Sequence, residues 1–189
     1  IVVAAAAGNG GRYKDLISSP GTASKAITVG AIDKSKKIAD FSSRGPVIWK
    51  GIDLKKPDVV APGVSICSAE LFGLVYLDNR CLDDKHISLN GTSMATPHVA
   101  GLAALVIQAH PDWKTEQIKQ AIKDSAQNIG YDYNTQGTGM IDANKLFNIV
   151  SPELKKLTLT PIKDAYVSQS NANTNFGTGS TLRVDNTPK

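Results

Sequence analysis

Between Asn90 and Gly101 the chain reads Asn-Gly-Thr-Ser-Met-Ala-Thr-Pro-His-Val-Ala-Gly. No other stretch limits the possible folds as sharply. Gly91 frees the backbone to bend and to approach another segment closely. Thr92 or Ser93 stands where a side chain caps the first N–H groups of a helix. Met94, Ala95, Val99, Ala100, Leu102, Ala103, Ala104, Leu105, Val106 and Ile107 follow. They are apolar on nearly every side, which predicts a helix inside the protein rather than on its surface. The small residues Ala95, Ala100, Gly101, Ala103 and Ala104 predict close packing of its neighbours. Ser93 then sits at the positive end of a buried helix, where free N–H groups favour developing negative charge. A serine in that position is commonly just a cap, but acyl transfer through a serine nucleophile needs the same placement.

The full string decides between these two roles. Gly91 to Gly101 resembles, residue for residue, the nucleophile motif of the subtilisin-like serine proteases (subtilases). It is not the Gly-x-Ser-x-Gly elbow of the α/β-hydrolases, because Ala95 stands where that motif has glycine. The resemblance implies an α/β fold, with a parallel sheet between two layers of helices. It also implies a serine endopeptidase acting on protein or peptide substrates, with Ser93 as nucleophile.

Residues 1–11 read Ile-Val-Val-Ala-Ala-Ala-Ala-Gly-Asn-Gly-Gly. A short β-branched and alanine run ending in glycines predicts a buried parallel strand entering a tight loop. Asn9 suits a left-handed turn position, and its amide is also a hydrogen-bond donor. Ala6-Ala7-Gly8-Asn9 is similar to a subtilase segment. That similarity assigns Asn9 to the oxyanion hole, and Ala6, Ala7 and Gly8 to the wall that receives the side chain before the scissile bond.

Residues 17–32 predict a Pro-Gly turn and a short buried strand with Ile27, Val29 and Ile32 in the core. Lys56 to Ile66 predicts another strand with an internal turn. Phe41 to Pro46 also resembles a subtilase segment, and a structural loop is expected there rather than chemistry. Residues 111–130 predict a second helix, capped by Asp112 or Thr115, with Ile118, Ala121, Ile122 and Ala126 on one stripe. Gly137 to Phe147 resembles the segment that closes subtilase domains, so this resemblance covers about residues 1–149.

A serine protease needs a base, and none of the three histidines suits. His98 follows Ser93 by five residues on one helix, about 7.5 Å along the axis and well round from it. His110 falls near the end of that helix, and His86 lies in the loop before the motif. None is followed by the Gly-Thr-His pattern of the subtilase histidine, and no aspartate lies in an Asp-Thr/Ser-Gly context. In subtilases the order is Asp, His, Ser, so both partners are expected upstream of Ile1. The isolated 189-residue chain is then expected to hydrolyse little or no peptide.

Past Ser151-Pro152 the composition shifts. The expected organisation is a peptidase portion over 1–150, a linker over 151–160 and the start of a β-sandwich module over 161–189. That module resembles those of secreted and cell-surface proteins, some of which bind carbohydrate; a disordered polar tail is the alternative. The net charge of +4 comes from scattered lysines, with no stripe to suggest nucleic acid, and no apolar run approaches a membrane span. Cys67 and Cys81 are free buried thiols in a reducing compartment, or a local bridge if the protein is extracellular or on the cell surface, as the resemblance implies. The family commonly carries structural calcium, but no carboxylate cluster here invites assignment, and no cofactor is expected. A degenerate subtilase domain acting as a scaffold, or an adhesion role through the C-terminal module, are the rival functions.

Overall fold

The computed structural model describes residues 1–70 and 79–151. Most of the expected linker, and all of the expected β-sandwich module at 161–189, lie outside the described residues. The strands are β1 (Ala4–Ala6), β2 (Ile27–Ile32), β3 (Val47–Trp49), β4 (Ile52–Leu54), β5 (Val59–Pro62), β6 (Ile66–Ala69) and β7 (His86–Leu89). The helices are α1 (Thr92–Ala109), α2 (Thr115–Ser125), α3 (Tyr133–Gln136) and α4 (Ala143–Val150).

The centre is a parallel sheet in the order β1-β2-β5, with Ala4 opposite Ile27 and Val29 opposite Val59. All of β2 is buried, as expected of a strand covered on both faces, where an unbroken apolar run replaces alternation. Side chains alternate across the strand. Ile27, Val29 and Ala31 therefore meet Val99 and Val106 of α1, Ile122 of α2 and Leu146 of α4 in one core. Ile32 and Val60 face the other way and pack with Ile38, Ile129 and Met140. The parallel sheet with helices agrees with the expected α/β class. Helices α1, α2 and α4 share one core on one side, while Ile38, Ile129 and Met140 from loops cover the other, so a second layer of long helices is not among the described residues.

Three local expectations are corrected. Helix α1 is buried on one face only: Ala95, Val99, Leu102, Ala103 and Val106 are inside, whereas Ala100, Gly101, Ala104 and Leu105 are exposed. Alanine and glycine occupy either environment at little cost, so their run does not report which face is covered. The N-cap of α1 is Gly91, with no side-chain cap, because the Thr92 hydroxyl is engaged elsewhere. The N-cap of α2 is Lys114, whose N–H is accepted by Gln117 Oε1 at 2.9 Å. The Lys114 carbonyl in turn accepts the Gln117 N–H at 3.0 Å, and neither Thr115 nor Asp112 caps the helix. The predicted stripe Ile118, Ala121, Ile122 and Ala126 is buried.

One charged cluster is sealed into this frame. Lys56 and Asp58 are each 2% exposed. Lys56 Nζ donates to Asp58 Oδ2 at 2.5 Å and to the Ala26 carbonyl at 2.8 Å. Asp58 Oδ2 also accepts the Thr28 N–H at 2.8 Å, and Lys119 Nζ reaches Asp58 Oδ1 at 2.9 Å. The carboxylate thus ties β2 to β5 and to α2. Burial pushes the Lys56 ammonium below the ordinary lysine value, with the hydrogen bond and charge of Asp58 opposing the shift.

Candidate active site

Ser93 is exposed in the first turn of α1, whose start is held by Gly91 N–H donating to the Gly63 carbonyl at 2.8 Å. A Cβ on Gly91 would stand 3.4 Å from Asn9 Nδ2. The loop carrying Asn9 therefore lies in van der Waals range of the helix N-terminus. Pro97, inside the helix, has no N–H to offer the carbonyl of Ser93.

Asn9 is fixed by Thr92, which is fully buried. The Thr92 N–H and the Thr92 hydroxyl both donate to Asn9 Oδ1, each at 3.0 Å, and the Gly8 N–H donates to Thr92 Oγ1 at 3.2 Å. A backbone N–H meets only an acceptor, so the amide oxygen faces Thr92 and the Nδ2 group is turned outward beside Gly91. Asn9 is therefore held against Gly91 and Thr92, the two residues that precede Ser93.

Behind Asn9 lies a residue that sequence reasoning passed over. Ser43 is fully buried. Its Oγ accepts the Gly10 N–H at 2.9 Å, and its own N–H donates to the Gly8 carbonyl at 2.9 Å. One serine clamps the backbone on both sides of Asn9. Gly8 has φ 105°, and a Cβ there would fall 2.8 Å from Ser18 Oγ and 3.0 Å from Ser43 Oγ, so only glycine fits. Phe41 to Pro46 is the structural loop expected, but what it structures is the Asn9 turn. Nothing in the local pattern of Phe-Ser-Ser-Arg-Gly-Pro could reveal a contact to residues more than 30 positions away.

Ala7 is buried and Ala6 partly so; Ala6 lies in β1 and Ala7 directly follows it. Ala7 N–H donates to Val29 O at 2.9 Å and its carbonyl accepts from Ser18 N–H at 3.2 Å. On the other side, a cavity of about 470 Å³ opens beside Ser93. Ile66, Cys67, Ile87, Leu89, Met94 and Pro97 line it. The β6–β7 hairpin thus forms a wall of the site that the sequence did not announce as one. Cys67 and Cys81, left open as thiols or a bridge, form a disulfide.

The histidines have other partners. His98 lines the cavity, but its Nδ1 lies 3.0 Å from the Met94 carbonyl. His110 contacts the Val150 carbonyl and stacks on Trp113. His86 Nδ1 lies 2.6 Å from Asp83 Oδ1, and that contact holds the exposed carboxylate below its ordinary value. None of these contacts engages Ser93. As to calcium, no three His, Cys, Asp or Glu side chains converge among the described residues. The buried carboxylate of Asp58 already faces three lysines, and that surrounding does not fit a metal cation. No described helix is long and apolar enough to cross a membrane.

The site thus places an exposed serine in the first turn of a helix, with an asparagine amide fixed against the residue before it. The subtilase family model matches residues 1–179, and the chain belongs to that family. It is 38% identical over 155 residues to serine protease AprX of Bacillus subtilis (strain 168), covering 76% of this chain and 34% of that protein. It is 40% identical over 143 residues to subtilisin Savinase of Lederbergia lenta, covering 76% of this chain and 45% of that protein. The chain thus spans less than half the length of these relatives. Among solved structures, the prenylagaramide maturation protease PagA superposes with a TM-score of 0.62 at 27% identity, over 80% of this chain and 51% of that one. The self-cleaved protease domain of PatA gives a TM-score of 0.60 at 26% identity, over 78% and 49%.

Proposed function

We propose that this chain carries the nucleophile and half of the oxyanion hole of a serine endopeptidase. The observation that carries the reading is the pinning of Asn9 Oδ1 by Thr92 at 3.0 Å, which fixes the amide against the residue that precedes Ser93. In the reaction, Ser93 Oγ attacks the carbonyl carbon of a peptide bond and gives up its proton to a base. The Ser93 N–H and Asn9 Nδ2 hold the oxyanion that forms. Collapse expels the amine with a proton and leaves an acyl ester on Ser93, which water then cleaves.

Ala6, Ala7 and Gly8 form the wall for the side chain before the scissile bond. The cavity between α1 and β6–β7 lies on the opposite side of Ser93 and takes an apolar side chain of the leaving segment. The base and its orienting carboxylate come from a histidine other than His86, His98 and His110 and from its aspartate, so the 189 residues by themselves hydrolyse little or no peptide. An extracellular or cell-surface location accords with the disulfide between Cys67 and Cys81.

The test is labelling of the full-length protein with a fluorophosphonate, which is attacked by an activated serine with loss of fluoride. Labelling that disappears in Ser93→Ala is the expected result. A folded full-length protein that does not label would instead make the motif an architectural remnant and favour the scaffold reading.

A further inference from the structure

The endopeptidase reading leaves the Cys67–Cys81 bridge without a role. Cys67 lies in β6, on the cavity wall, and Cys81 follows Arg80, which pairs with Ile87 of β7. A two-stranded hairpin is marginal by itself, and Ile87 is the one residue of β6 and β7 that is buried. Both cysteines are exposed, and exposed disulfides are the ones that thiols reach and reduce.

We propose that the Cys67–Cys81 disulfide is a reducible brace that sets the side-chain specificity of the cavity beside Ser93; the specificity half rests on the endopeptidase reading. A thiolate of an external dithiol attacks Sγ of one cysteine and expels the other as a thiolate. The second thiol of the reductant then attacks the reductant's own sulfur in that mixed disulfide and expels the cysteine as a thiolate, leaving two protein thiols and an oxidised, cyclic reductant. Two electrons and two protons pass to the protein. Without the bridge, Ile66, Ile87 and Leu89 lose the tether that holds them as a wall. Ser93, Thr92 and Asn9 keep their places, because α1 is packed into the core and the fully buried Thr92 holds Asn9. The oxidised form therefore selects a leucine-sized side chain on the leaving side, and the reduced form does not.

The test compares the full-length protein before and after dithiothreitol, with a Cys67→Ser/Cys81→Ser double variant alongside. Substrates are two peptides differing only in Leu or Ala after the scissile bond. The oxidised protein is expected to favour Leu by about tenfold in kcat/KM, the scale of apolar pocket discrimination. Reduction brings the ratio near one, chiefly through KM of the Leu peptide. The double variant shows the flat ratio from the start and ignores dithiothreitol. Hydrogen exchange provides a readout free of turnover: amides of β6 and β7 speed up on reduction while those of β2 do not. An unchanged Leu/Ala ratio after complete reduction overturns the specificity role. Unchanged exchange in β6 and β7, or exchange that rises equally in β2, overturns the brace. If neither peptide is cleaved in either state, the endopeptidase reading and the specificity half fall, while selective exchange in the hairpin still establishes the brace.

Discussion

Two walls meet at Ser93, and they are held in different ways. The first, from β1 through Asn9, is tied to the core. Thr92 and Ser43 are fully buried, and Ala7 bonds to β2 and to Ser18. The second, β6–β7, buries only Ile87 and is closed by a disulfide. Oxyanion stabilisation requires donors already in place when charge develops, and a buried hydrogen-bond network supplies that rigidity. A wall that only sorts side chains tolerates exposure and a reversible tether. The contrast matches precision to chemistry and adjustability to recognition.

The strongest way to break the first wall is from beneath. Asp58→Asn leaves Lys56 buried without its carboxylate, so burial acts on the ammonium unopposed. Losing one partner of a buried pair costs about 3–5 kcal/mol. Chemical denaturation is expected to show a loss in that range, moderated by the water that Lys119 and Lys123 can reach. A loss under 1 kcal/mol (about the scale of an exposed pair) would mean that Asp58 does not tie β2 to β5.

Asn9→Ala strikes the donor itself. The expected result in the full-length enzyme is a fall in kcat of about 10²–10³-fold with KM little changed, the range established for losing such a donor in subtilisin. An equal rise in KM would place Asn9 in substrate binding instead.

Ser43→Ala is smaller. It removes the acceptor of the exposed Gly10 N–H, at a cost of about 1 kcal/mol. Part of that loss is expected in kcat, and the kcat effect should vanish in an Asn9→Ala background. Additive losses in the double variant would show that Ser43 supports the fold without positioning Asn9, and would soften the contrast between the walls.

Much of this was readable along the chain because it depends on neighbours in sequence. Unbroken apolar runs specify buried parallel strands, the Ile118–Ile122 stripe specifies the buried face of α2, and the Gly91–Gly101 string marks the family. These are local patterns whose period the backbone imposes. What covers each face of α1 was not readable, since alanine and glycine suit core and surface alike. Nor was the source of the caps, because the Thr92 hydroxyl is engaged by Asn9, 83 positions distant. Ser43 and the β6–β7 wall gained their roles in the same way. Sequence by itself determined β1, β2, β5, α1 and α2, and the family resemblance that singles out Ser93 and Asn9. Only the tertiary structure decided which oxygen of which residue aims the Asn9 amide, which serine clamps its loop and which cysteine wall faces the cavity. Those choices depend on contacts made in space, and side-chain order along the chain carries no record of them.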